Sequence, residues 1–139
     1  MVLFRIILRI LKLIAVVIWM CLIGLYTFIG LIFIRDAWKK RYFSSKCARI
    51  WGSGLRYIIG LELKIDGDPE QISQGGLIVS NHMGYCDIVA HASIFPLRFA
   101  PKQQIKSWPC LGAYLALSQP IWINRNSAQQ AKKIAEQFK

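Results

Sequence analysis

The stretch LIVSNHMGYCDI, residues 77–88, decides the fold that the sequence predicts. Leu77 to Val79 form a short apolar run after two glycines, which indicates a buried strand, and a helix is expected to begin near Asp87. A strand that leads into a helix is the unit of an α/β fold, and ligands bind beyond the carboxyl ends of such strands. Asn81 and His82, which follow the apolar run, therefore mark a candidate site.

The flanking segments show the same change of period. Leu61, Leu63 and Ile65 alternate with charged residues, which is typical of a strand with one wet face, and residues 97–100 and 121–123 predict further strands. Helices fit at 87–94 and at 103–117, the second interrupted at Pro109. We predict an α/β protein in which an N-terminal membrane helix or helical hairpin precedes an incomplete, largely parallel sheet flanked by helices.

The N-terminal segment has the composition of a membrane-associated helix. Residues 13–34 are uncharged and long enough to cross the ~30 Å hydrocarbon core of a bilayer, while Gly24 and Gly30 would permit a bend, so spanning and re-entrant forms both remain open. Within residues 1–12, three basic residues share one face of an apolar helix, as in helices that lie in the interface. These three are Arg5, Arg9 and Lys12.

Basic and aromatic residues are interleaved in residues 35–58, where Asp36 is the sole acidic residue. This pattern suits a segment at the level of the lipid headgroups, although the aromatic residues could instead belong to a core. The basic cluster favours a globular part on the cytoplasmic face of an inner or plasma membrane. The predicted organisation is a membrane-associated helical segment (1–34), a basic aromatic interfacial segment (35–58) and a partial α/β domain (59–139).

The net charge of +11 indicates a polyanionic partner. The basic residues cluster beside the apolar run, and the sequence contains none of the usual motifs that read RNA or DNA. We therefore expect membrane lipid as the partner and no nucleic acid.

His82 and Asp87 are the candidate catalytic pair. An imidazole can remove a proton from an alcohol, and a nearby carboxylate can orient it. Alternatives remain open: Asp87 could cap a helix, His82 could be structural, and Asp87 could pair with His91 four residues on. Cys86 and His91 could join His82 as metal ligands, but the spacing lacks the paired pattern of zinc sites, so no metal is expected.

Asn81, His82 and Asp87 match the N-H-x-x-x-x-D block of the 1-acylglycerol-3-phosphate acyltransferase family, and residues 99–125 resemble that family's second region. The resemblance implies an O-acyltransferase of phospholipid biosynthesis. It would move a fatty acyl group from acyl-CoA or acyl carrier protein to the free hydroxyl of lysophosphatidic acid or a related lysophospholipid, with no bound cofactor. His82 would be the general base, Asp87 would orient it, and Arg125 with Lys102 would bind the acceptor's phosphate.

The sequence also departs from the family pattern. Gly84 stands where serine is common, Gln119 where glycine is common and Asn124 where aspartate is common. The family's third block, built around Glu-Gly-Thr, has no counterpart within the 139 residues. The alternative function is therefore that of a non-catalytic membrane-associated fragment or pseudoenzyme that lacks this block.

Overall fold

The computed structural model describes residues 2–69, 76–81 and 83–124, and this part of the chain is mainly helical. Its α-helices are α1 (Val2–Phe33), α2 (Ala37–Ile59), α3 (Tyr85–Ile94) and α4 (Leu111–Leu117). A 3₁₀ helix occupies Gln103–Ser107. The break between this 3₁₀ helix and α4 falls at Pro109, as the sequence predicts, because proline cannot donate the backbone hydrogen bond that a continuous helix requires.

Helices α1 and α2 form an antiparallel hairpin. Near its open end, the Lys12 ammonium lies close to Gly60. In its middle, the Trp19 indole N–H donates to the Trp51 carbonyl at 3.1 Å. Near the connection between the helices, the side chain of Phe43 packs against Gly30. The two helices therefore remain in contact over most of their length.

Local signals fix both ends of α2. The Asp36 carboxylate accepts a hydrogen bond from the Lys39 backbone N–H at 2.7 Å, so aspartate caps the first turn. Gly60 follows the last turn with φ of 74°, a left-handed conformation that glycine adopts without steric penalty. Asp36 and Gly60 therefore determine where α2 begins and ends.

The core of the described chain lies between α2 and α3 and is built from small side chains. A Cβ atom placed on Gly52 would lie 2.6 Å from the Ala92 Cβ and 2.7 Å from the Ser93 backbone nitrogen, so the two helix backbones are nearly in contact. The Ser53 hydroxyl donates to the Ser93 carbonyl at 3.2 Å. The buried apolar residues of α2 and α3 are Cys47, Ala48, Leu55, Val89 and Ala92. Close packing here fixes the position of α3.

The region around α4 contacts α1 and contains one short parallel pairing. Tyr114 of α4 packs against Gly24 of α1. Lys102 and Ile123 form an isolated parallel bridge, in which the Gln103 N–H donates to the Ile123 carbonyl at 2.9 Å. The Ile121 N–H donates to the carbonyl of Phe99, also at 2.9 Å. The pairing brings the segment that contains Lys102 beside residues 121–123.

The predicted parallel sheet is wrong: residues 2–69, 76–81 and 83–124 contain helices and one isolated bridge but no strand. Leu77 and Val79, predicted to be buried, are 70% and 83% exposed. Alternation and apolar runs are properties of single segments, whereas a strand also requires a neighbour that pairs with its backbone. The N-terminal apolar helix of the prediction is present as α1.

Candidate active site

The first turn of α3 holds the carboxylate of Asp87 in place. Its Oδ2 accepts hydrogen bonds from two backbone amides, at 2.6 Å from Met83 N and 2.9 Å from Gly84 N. The Asp87 N–H in turn donates to the Gly84 carbonyl at 3.2 Å. This reciprocal pattern satisfies amides that a helix N-terminus leaves free, and the positive end of the helix dipole favours the charge. Asp87 thus caps its own helix, and its carboxylate lies next to the backbone of Met83 and Gly84.

His91 contacts the main chain of Asp87 at the carbonyl, one helical turn away. Its Nδ1 lies 2.6 Å from the Asp87 carbonyl oxygen. A carbonyl can only accept, so this geometry places a proton on Nδ1 and leaves Nε2 as the acceptor nitrogen of a neutral ring. The Asp87 carboxylate meanwhile accepts from Met83 and Gly84. The contact between Asp87 and His91 is therefore a backbone contact and not the side-chain ion pair that their spacing would permit.

The other candidate residues fall into separate parts of the structure. His82 and Arg125 lie outside the described residues. Lys102 is exposed and precedes the 3₁₀ helix as its N-cap residue. Helix α3 packs chiefly on α2, whereas the 3₁₀ helix packs on α4. In the described chain, Asp87 therefore belongs to the α2–α3 pair, whereas Lys102 precedes the 3₁₀ helix that packs on α4.

The possibility of a metal site rests on Cys86, His91 and His82. Within the residues that the structure describes, no three histidine, cysteine, aspartate or glutamate side chains lie close enough to hold a metal ion. Cys86 is exposed at the start of α3. His91 uses Nδ1 for the contact with its own helix.

Arg98 is a second polar feature close to the 102–123 pairing. Its Nε donates to the Gln119 carbonyl at 2.9 Å, which ties residue 98 to the turn after α4. Burial lowers the pKa of Arg98 below its usual value, and repulsion from Arg41 of α2 lowers it further. Gln119 has φ of 50°, a conformation that glycine adopts more readily. The hydrogen bond from Arg98 therefore helps to hold Gln119 in a turn conformation that glutamine does not favour.

The chain matches a known protein family. The profile of the family described as Acyltransferase matches residues 63–139, more than half of the chain. The chain belongs to the acyltransferase family. The match includes the candidate block at 81–87 and the segment that contains Lys102. The family resemblance expected from the motifs is confirmed.

Individual relatives of the chain carry names that refer to two different acceptors. The chain is 32% identical over 83 residues to a 1-acyl-sn-glycerol-3-phosphate acyltransferase of Neisseria meningitidis, which covers 60% of the chain and 32% of that protein. It is 26% identical over 112 residues to a lyso-ornithine lipid O-acyltransferase of Brucella abortus, which covers 76% of the chain and 39% of that protein. The chain thus spans about a third of the length of these relatives. No solved structure gives a significant match.

Sequence reasoning missed three features that position the candidate site. The amides of Met83 and Gly84 fix Asp87, yet backbone donors carry no residue signature. Gly52 sets the distance between α2 and α3. A signal for Gly52 was present, because glycine in the interior of a helix is unfavourable unless close packing requires it. Arg98 gave no pattern that would separate it from a surface charge.

Proposed function

We propose that the protein containing this chain transfers a fatty acyl group from an acyl thioester, carried by coenzyme A or acyl carrier protein, to the free hydroxyl of a lysophospholipid. In this reaction His82 takes the hydroxyl proton, and the oxygen attacks the thioester carbonyl. The carbon–sulfur bond then breaks, and the sulfur leaves with the proton held by the imidazolium. Asp87 orients His82, while Arg125 and Lys102 bind the acceptor's phosphate.

The geometry of Asp87 is the observation that most supports this proposal. A carboxylate that orients an imidazole must itself be immobile, and the amides of Met83 and Gly84 hold Oδ2 at the start of α3. Met83 follows His82 directly in the sequence. His91 is the weaker candidate for the base, because it contacts Asp87 through the backbone carbonyl and not through the carboxylate.

The acceptor is proposed to be a single-chain lipid with a free hydroxyl and an anionic headgroup. The relatives in Neisseria meningitidis and Saccharomyces cerevisiae are named for 1-acyl-glycerol-3-phosphate, and that in Brucella abortus for lyso-ornithine lipid. We favour the phosphate-bearing acceptor, because Lys102 and Arg125 supply cations in the second region and a guanidinium suits bidentate phosphate recognition. Lyso-ornithine lipid is the second candidate, on the strength of the longer match.

The α1–α2 hairpin supports membrane attachment, and we propose that it lies within one leaflet on the cytoplasmic face. Helix α1 contains an apolar stretch, and the helix is long enough to span a bilayer. However, α2 returns along it from Gly30 to Lys12, about 27 Å at ~1.5 Å per residue. A perpendicular α1 would therefore carry Lys46, Arg49 and Arg56 of α2 into the hydrocarbon, at a cost of about 8–10 kcal/mol on insertion scales. An in-plane hairpin avoids this cost.

The catalytic proposal is tested by acyl transfer from labelled acyl-CoA to lysophosphatidic acid, using the purified protein in mixed micelles. His82→Ala should lower kcat by about 10²–10⁴-fold, the usual contribution of a general base, with little change in the acceptor KM. Asp87→Asn should also lower kcat strongly, because an amide can still accept the two backbone bonds but carries no charge. Glu62→Gln removes an exposed carboxylate outside the motif and serves as the matched control.

Two results would count against the proposal. If His91→Ala abolishes turnover while His82→Ala does not, the base is misassigned. If lyso-ornithine lipid is acylated faster than lysophosphatidic acid, and Arg125→Ala leaves the KM for lysophosphatidic acid unchanged, then the acceptor is misassigned while the reaction type stands.

A further inference from the structure

The α1–α2 hairpin contains an open groove that is separate from the first turn of α3. Its cavity has a volume of about 650 Å³, within the usual range of small-molecule sites. Trp19 of α1 forms one wall, and the remaining lining comes from α2. The lining residues of α2 include Arg49, Ile50, Ser53, Tyr57 and Ile58.

The groove wall at Trp19 is held rigidly. The indole N–H donates to the Trp51 carbonyl at 3.1 Å, and the ring packs directly against Gly54, where any side chain would displace it. Both contacts fix the position of the indole, so this wall of the groove is well packed.

The lining combines apolar residues, here called the floor, with a row of polar residues, here called the edge. Trp19, Ile50 and Ile58 provide apolar surface. Arg49, Ser53 and Tyr57 follow one another at intervals of four residues, so they lie along one face of α2. This division matches an amphiphile that places a chain against the floor and a headgroup at the edge.

The charge at the edge is uncompensated. Arg49 is exposed and makes no hydrogen bond or ion pair with the described residues. Asp36, the sole acidic residue of segment 35–58, lies at the far end of α2 and caps its first turn. A guanidinium beside an apolar groove is complementary to a phosphate attached to an acyl chain.

We infer that this groove binds one anionic membrane phospholipid, whose phosphate pairs with Arg49 and whose chain lies along Ile50, Ile58 and Trp19. The inference rests on the proposed placement of the hairpin in one leaflet, because there the apolar surface of α1 is continuous with the bilayer. The proposed lipid is distinct from the acceptor, since the groove contacts the C-terminal end of α3 through Ser53 and Ser93, whereas Asp87 is at the N-terminal end.

The test measures retention of phosphatidylglycerol by the protein in detergent, using native mass spectrometry without acyl donor. The parent should retain one phosphatidylglycerol, and Arg49→Gln should weaken retention about tenfold, the loss expected for one charge-assisted contact. Lys39→Gln removes an equal charge from α2 outside the groove and should retain the lipid like the parent. Ile58→Trp, which fills the floor, should weaken retention independently of charge.

The inference is overturned if Arg49→Gln retains phosphatidylglycerol as well as the parent, or if phosphatidylcholine is retained equally. It is also overturned if lysophosphatidic acid displaces phosphatidylglycerol at equimolar concentration, which would make the groove an acceptor site. Since no acyl transfer is measured, failure of the lipid site leaves the catalytic proposal standing. Failure of His82→Ala to affect turnover would likewise leave the lipid site standing.

Discussion

Replacing Gly52 by alanine should destabilise the protein, although alanine is the better helix former. The new Cβ would lie 2.6 Å from the Ala92 Cβ, and 2.7 Å from both the Ala92 carbonyl carbon and the Ser93 nitrogen. Optimal separations between such atoms are about 3.5–4.0 Å, so α2 and α3 must move apart by roughly 1 Å. Two of the three atoms belong to the backbone, which cannot rotate away as a flexible side chain could.

The expected loss of stability follows from two opposing effects. Overpacking of a filled site destabilises by about 1–3 kcal/mol, and contact with backbone places Gly52→Ala near the upper end. Alanine recovers about 0.5–1 kcal/mol through helix propensity. The net loss is about 2 kcal/mol, which corresponds to a decrease in Tm of roughly 5–10 °C for a domain of this size.

The assay is thermal unfolding in detergent, followed by tryptophan fluorescence, together with acyl transfer. Gly84→Ala is the control, since a Cβ there meets nothing within 4 Å. Ala92→Gly combined with Gly52→Ala should restore part of the lost stability, because it removes one of the three close contacts. Displacement of α3 by 1 Å should also lower kcat, as misplacement of this size can cost about 10²-fold. A Tm for Gly52→Ala at or above that of the parent would refute the close packing of α2 and α3.

Three further results are expected. Gly84→Ser should raise stability by about 0.5–1 kcal/mol relative to the parent, measured by Tm. Its hydroxyl can accept the Asp87 N–H, which now makes a long 3.2 Å bond to the Gly84 carbonyl, and serine restricts the unfolded backbone more than glycine does. Burial raises the pKa of Tyr114 to about 12 from 10.0, with a further contribution from Cys21. The unfolded chain therefore loses the phenolic proton first, so stability is unaffected below about pH 10 and falls between about pH 10 and 12; alkaline unfolding curves of Tyr114→Phe should lack this component. In a protein whose native cysteines have been replaced, Val2→Cys and Arg35→Cys should react with an impermeant maleimide from the same side of sealed vesicles. Labelling from opposite sides would show that α1 spans the membrane.

Several features of this protein were determined by short stretches of sequence. Helix α3 begins at Tyr85, two residues before the predicted start, because the capping interactions of Asp87 involve only residues 83–87. The interruption at Pro109 depends on the chemistry of one residue. The apolar composition of α1 and the acyltransferase motif are likewise readable without knowledge of any neighbour in space. Local hydrogen bonding and local composition suffice for such features.

The tertiary structure decided the features that join distant segments. The alternation at 61–65 and the apolar run at 77–79 predict strands, yet the described chain gives them no strand partner, since pairing depends on which backbone lies alongside. The direction of α2 along α1 is set by contacts such as that of Trp19 with Trp51, which are 32 residues apart. The sequence alone indicates an apolar helix and a basic helix. Their antiparallel packing places Arg49 beside an apolar groove. The same packing makes a perpendicular α1 unfavourable, because the cost of burying a charge depends on its position in the assembled fold.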